Sequence, residues 1–174
     1  MFRKPRQLDT ESELYDIALR ALMRRAHSEQ EMKKKLERRA SSKLLAQVVL
    51  ARLRESGQLD DARYAKQFTR QRTEVRKQGQ FRVARDLRAR GVPDKHIQTA
   101  LAESANETDA SSVVRQRIQR KLRSFKGEIS EKKLASLYSS LLRAGFPSDL
   151  IRRELKSITR EELPEVDPPE QEVG

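Results

Sequence analysis

The chain is read as all-α, built from three tandem three-helix repeats that form an elongated, curved array. Three observations predict this. Apolar residues recur at helical spacing along the whole chain and no alternating strand pattern is present. Gly and Pro, six of each, fall at segment edges. A helix–Gly–Pro–helix corner occurs twice: shifting Leu87–Leu101 by 54 positions aligns Gly91 with Gly145, Val92 with Phe146, Pro93 with Pro147 and Ile97 with Ile151. A fainter copy, Leu36–Leu50, fits at a shift of 51 with Ala40 in the glycine's place. The competing reading is two unrelated corners. The expected bounds are a basic flexible N-terminus over 1–11, repeats over 12–58, 59–105 and 106–158, and an acidic disordered tail over 159–174.

The elements follow in order. Leu14, Ile17, Ala18, Ala21 and Leu22 make one apolar face. Ser28 and Glu31 form a capping box, and Met32, Leu36 and Ala40 lie behind it. Ser41 or Ser42 opens a third helix with Leu45, Val48, Val49 and Leu53 inward and Gly57 past its end. Asp60-Asp61 then stands where an N-cap belongs. A cap is favoured over a metal or acid–base role, because no His, Glu or Cys accompanies the pair. One helix is expected from Asp60 to Lys77, broken by Gly79, and another from Arg82 to Arg90 ended by Gly91. Pro93 suits the first turn of the next helix, with Ile97 and Leu101 inward. Tyr64, Phe68, Phe81 and Phe146 read as core.

The composition narrows function. Cysteine is absent, which excludes disulfides and thiolate zinc sites and fits a reducing cytoplasm. No membrane-length apolar run or secretory signal is present. No phosphate-cradling glycine loop, zinc-binding histidine pair or nucleophile elbow occurs, so no catalytic residue, metal or cofactor is expected. His27 and His96 read as surface or cap residues. All 38 Lys and Arg lie at or before Arg160, against 20 of the 26 acids, so the body is a strong cation and the end of the chain is acidic. Polyanions are the first partner this suggests. Solvated charged faces are the alternative.

The basic residues form rows. Lys66, Arg70 and Lys77 are expected to share one face of their helix, and Arg82, Arg85 and Arg88 another. Arg115 to Lys126 holds six basic residues, Arg120 and Lys121 among them, and no acid. Such rows suit phosphates or carboxylates. The chain has no Trp and eight Tyr plus Phe, so base stacking is a minor term and binding is largely electrostatic.

Three segments resemble the bacterial RecX regulatory proteins. They are Ser28/Glu31/Lys35/Leu36, then Gly57/Leu59/Asp60/Asp61/Arg63/Tyr64/Ala65, then Gly79/Arg82/Val83/Asp86/Leu87/Arg90/Gly91/Val92. They match that family's pattern in order and spacing. Met32 stands for its usual Leu and Asp86 for its commoner Glu. The resemblance spans about 12–158. It implies three tandem three-helix repeats and a non-enzymatic, cytoplasmic modulator of the RecA recombinase. Such a modulator binds the RecA–single-stranded DNA filament and tunes recombination and the SOS response, most often by inhibition. The implied partners are that filament and single-stranded DNA, with double-stranded DNA a lesser candidate; a monomer is expected. The alternative is a basic helical protein acting on DNA directly. Among matched positions, Arg63, Lys77, Arg82 and Arg90 are contact candidates; Lys66, Arg70, Arg85, Arg88, Arg120 and Lys121 are added on charge.

Overall fold

The computed structural model describes residues 7–125 and 129–162, the last four by backbone alone. Nine α-helices account for nearly all of the described chain. They are α1 (Glu11–Arg24), α2 (Glu29–Glu37), α3 (Lys43–Glu55), α4 (Asp61–Arg70), α5 (Gln80–Arg88), α6 (Asp94–Glu107), α7 (Ala110–Arg123), α8 (Glu131–Arg143) and α9 (Ser148–Glu162). They pack as three triplets, and in each the third helix touches both others: α3 holds α1 and α2, α6 holds α4 and α5, α9 holds α7 and α8.

Each triplet has its own apolar core. Leu14, Met32, Leu36, Val49 and Leu53 anchor the first. Tyr64, Val83, Leu87 and Ile97 anchor the second. Ile118, Leu141, Phe146, Ile151 and Ile158 anchor the third. At about 1.5–3 kcal/mol for each fully buried aliphatic side chain, these clusters supply most of the drive to fold. Caps set the helix starts. Thr10, Ser42, Asp60 and Ser130 each accept an amide from the first turn, and Ser28 with Glu31 completes the reciprocal capping box.

The expected apolar faces shift in places. On α3 the buried stripe is Ala46, Val49, Leu50 and Leu53, an i, i+3, i+4, i+7 row, and Val48, one residue off it, is 43% exposed. Phe81 is 60% exposed instead of core. It sits at the start of α5, where its amide is bound to the third unit while its ring stays outside. The helix expected from Asp60 to Lys77 stops at Arg70. A π-helical turn, Gln71–Val75, follows, and Lys77 takes a left-handed φ of 51°. Gly79 is the N-cap of α5, with extended φ, instead of a helix terminator.

The joints between triplets repeat one another. The corner before each third helix turns on a residue at equivalent positions, Ala40, Gly91 and Gly145, and the carbonyl just before it accepts a hydrogen bond from the preceding part of the chain. Arg90 O accepts from Ser28 Oγ at 2.6 Å, so the second corner docks on the start of α2. Ala144 O accepts from Gly79 N at 2.8 Å and Gly145 O from Phe81 N at 3.0 Å, so the third corner docks on the start of α5. At the first corner Leu8 takes the place of such a docking unit: Leu8 N donates to Arg39 O at 2.7 Å and Ser41 N to Leu8 O at 2.9 Å. Leu8 and the capping Thr10 are thus held in place within the segment expected to be flexible.

Candidate polyanion interface

Two basic regions stand out. The larger is a groove of about 950 Å³ between α1 and α2. Seven cationic side chains line it: Arg20, Arg24, Arg25, Lys34, Lys35, Arg38 and Arg39. Its carboxylate, Glu31, is engaged by Arg25 at 3.0 Å and by the Ser28 amide at 3.2 Å. Burial works to raise the Glu31 pKa, but these bonds outweigh it and hold the group below its ordinary value, so it stays ionised. None of Arg24, Lys34, Lys35, Arg38 and Arg39 has an ion pair among the described residues. His27, also lining the groove, is buried. Its Nδ1 donates to the Arg25 carbonyl at 2.9 Å, since that oxygen only accepts.

The second region lies at the joint of the second and third units. Arg72 comes from the π turn, Arg76 from its end, Arg82 from α5, and Arg117 and Arg120 from α7. Burial lowers the pKa of Arg72, and the fields of Arg76, Arg90 and Arg82 add to it, with Asp86 opposing. Burial also lowers that of Arg117, helped by Arg120 and Arg82. Arg82 therefore belongs to both neighbourhoods and makes them one cluster. Its Nη1 lies 3.5 Å from the Arg143 carbonyl, and Arg117 Nη2 lies 3.5 Å from the Arg76 carbonyl, so both reach across the joint. Arg72 and Arg90 both stack on the Phe68 ring, at 4.7 and 4.8 Å.

The sequence-derived candidates divide accordingly. Arg82, Arg90 and Arg120 fall in or beside the joint cluster. Arg63 is held by the Gly57 carbonyl at 2.7 Å and closes the α3–α4 turn. Lys66 pairs with Glu103 at 2.9 Å, Arg70 with Glu74 at 3.1 Å and Arg88 with Asp94 at 2.7 Å. Arg85 lies 3.6 Å from Asp86. The row Lys66, Arg70, Lys77 does not form, because the π turn and the left-handed Lys77 take the last member off the helix. Lys121 lies over the Phe125 ring at 5.6 Å. Sequence reasoning missed Arg72 and Arg76 and the whole α1–α2 groove, and held Arg117 only as a member of the basic row from Arg115 to Lys126. The run Arg38-Arg39 beside Lys33-Lys34-Lys35 was the visible signal for the groove.

The adjacent aspartates are structural, and they split their work. Asp60 caps its own helix through the Arg63 amide at 2.9 Å. Asp61 is buried and accepts the Glu29 amide at 2.9 Å, so it caps α2 in the preceding unit. Burial raises its pKa, with the Glu29 bond working against that shift. Among the described residues no cluster of His, Asp and Glu is arranged to hold a metal ion, and no helix is long and apolar enough to cross a membrane.

Residues 60–101 match the family description "RecX, second three-helix domain". The fold is shared with a crystal structure of regulatory protein RecX, at TM-score 0.73 and 19% identity over 84% of this chain and 71% of that one. It is also shared with RecX from Lactobacillus salivarius, at TM-score 0.75 and 19% identity over 86% of this chain and 96% of that one. Similarity in sequence is greater to Regulatory protein RecX of Prosthecochloris aestuarii, 34% identical over 77% of this chain and 85% of the relative. With the protein of that name from Halorhodospira halophila it is 36% identical, over 79% of this chain and 83% of the relative. The chain belongs to the RecX family of regulatory proteins.

Proposed function

We propose that this protein binds the RecA–single-stranded DNA filament and restrains filament extension, ATP hydrolysis and strand exchange. The family name supports a regulatory role. The observation that carries the binding mode is the α1–α2 groove, where seven cations face a carboxylate that is already paired. A filament of protein and nucleic acid offers phosphates and acidic side chains together, and such a surface meets both without reading base sequence. The three-helix units over 12–58, 59–105 and 106–158 would each present part of the contact surface. The candidates Arg63, Lys66, Arg70, Arg85 and Arg88 contribute less on this reading, since each is already engaged within the protein.

The test is single-stranded-DNA-dependent ATP hydrolysis by the recombinase, with the protein added after filaments form and DNA in excess, at two salt concentrations. Inhibition that persists with excess DNA is the expected result. The triple change Arg24→Glu, Lys34→Glu, Arg38→Glu is expected to raise the inhibitory concentration about tenfold or more, equivalent to ~1.4 kcal/mol. Inhibition that disappears as DNA is added would favour direct action on DNA instead. No inhibition at either salt would remove the proposal.

A further inference from the structure

The stretch from Thr69 to Arg82 gathers most of the chain's local irregularity. It contains the π-helical turn, and Lys77 is, among the described residues, the non-glycine residue with positive φ. Such features cost free energy and concentrate where a segment has work to do. Among the described residues, the side-chain polar atoms shielded from solvent with no hydrogen-bond partner are Thr69 Oγ1, Arg72 Nε, Gln78 Oε1 and Arg82 Nε. All four fall in this stretch. Buried donors normally find acceptors, and here two belong to guanidiniums within a cluster of like charge.

We propose that Arg72, Arg82 and Arg117, flanked by Arg76 and Arg120, form a phosphate-binding site at the joint of the second and third units, and that a bound phosphate locks this joint. Three things support it. The cations come from both sides of the joint, so an anion among them bridges the two units. Tetrahedral phosphate supplies acceptors in the fork geometry guanidiniums bind best. It also relieves the repulsion that Arg82 transmits between Arg72 and Arg117.

The other joint is built differently. Between the first and second units Ser28 Oγ, the Asp61 carboxylate and the Arg90–Glu31 contact at 3.9 Å complete the joint with groups the protein already owns. The first joint is thus completed from within, whereas the second, beyond its two main-chain bonds, leaves guanidinium N–H donors open to an outside acceptor. The ligand chemistry is a phosphate group, either on a nucleic-acid backbone or free in solution. The inference needs no recombinase and stands apart from the regulator reading.

The experiment is hydrogen exchange on the full chain, following the amides of Gly79 and Phe81, which donate across the second joint, and that of Glu29, which marks the first. Inorganic phosphate and a short oligo-dT are titrated separately against sodium chloride at matched ionic strength. At about ten times the half-saturating concentration, protection of Gly79 and Phe81 is expected to rise about tenfold, with Glu29 unchanged. The double change Arg82→Gln, Arg117→Gln should abolish the response, and the exposed single change Arg120→Gln should weaken it without disturbing the fold. A response to oligo-dT alone assigns the phosphate to a nucleic-acid backbone; a response to both assigns the site to the phosphate group itself. Equal protection by chloride, or an undiminished response in the double variant, overturns the proposal. Loss of recombinase inhibition with this response intact would sink only the regulator reading.

Discussion

Asp61 and His27 show how far a single side chain's role lies from its immediate neighbours. Asp61 was visible as one of a pair standing where an N-cap belongs, yet its bond goes to Glu29 in another unit. That separation of 32 residues is a packing outcome, invisible to any local rule. Asp60, whose partner is three residues away, was legible for the same reason turned around. His27 is buried, and burial, aided by the Arg25 and Lys35 cations, lowers its pKa from 6.5 against the pull of the Arg25 carbonyl and Glu31. The unfolded chain then binds this proton more readily than the folded one, so stability rises with pH through the window just below 6.5 and is lost as pH falls through it. The urea midpoint is expected to drop between about pH 7.5 and about pH 5.5, and His27→Gln to flatten that slope. An unchanged slope in the variant would place the titrating group elsewhere.

Among the elements, the caps and the glycine corners could be read in advance because each is set within one helical turn. Gly91 and Gly145 adopt φ of 73° and 92°, which side chains rarely accept. The π turn could not be read. Nothing in Gln71–Val75 forbids an α-helix; the turn is adopted where the chain must bring the start of α5 against Gly145. Gly79 carries the geometric demand. A Cβ there would stand 2.2 Å from the Gly145 backbone carbon. Gly79→Ala is therefore expected to part the second and third units and to cost about 1–3 kcal/mol, as overpacking does. Exchange at the Phe81 amide should accelerate while the core amides of Leu53 and Ile118 keep their protection. Cooperative loss of all three together would show that the units do not hold independently.

On the scale of the whole molecule, charge is distributed in a way composition revealed only in part. The excess of cations was plain, but rows drawn on single helices misplaced it. Lys66, Arg70 and Arg88 are neutralised by acids from other turns, whereas the groove and the second joint collect cations from two or more elements each. Residues 163–174, outside the described part, hold four acids and no base. Deleting them is expected to tighten binding of oligo-dT at low salt and to change little near physiological ionic strength, where the screening length is about 8 Å. Equal affinity of the shortened and full chains at low salt would show that these acids do not shield the body.

The pairing of Leu8 with Arg39 and Ser41 carries a consequence for how such a chain can lengthen. A stack of identical joints has no intrinsic first member; any corner would accept another neighbour. Here Leu8, paired through its own amide and carbonyl, acts as a bookend. An additional triplet spliced ahead of α1 would have to compete for the same carbonyl and amide. Lengthening ahead of α1 is therefore opposed by two main-chain hydrogen bonds.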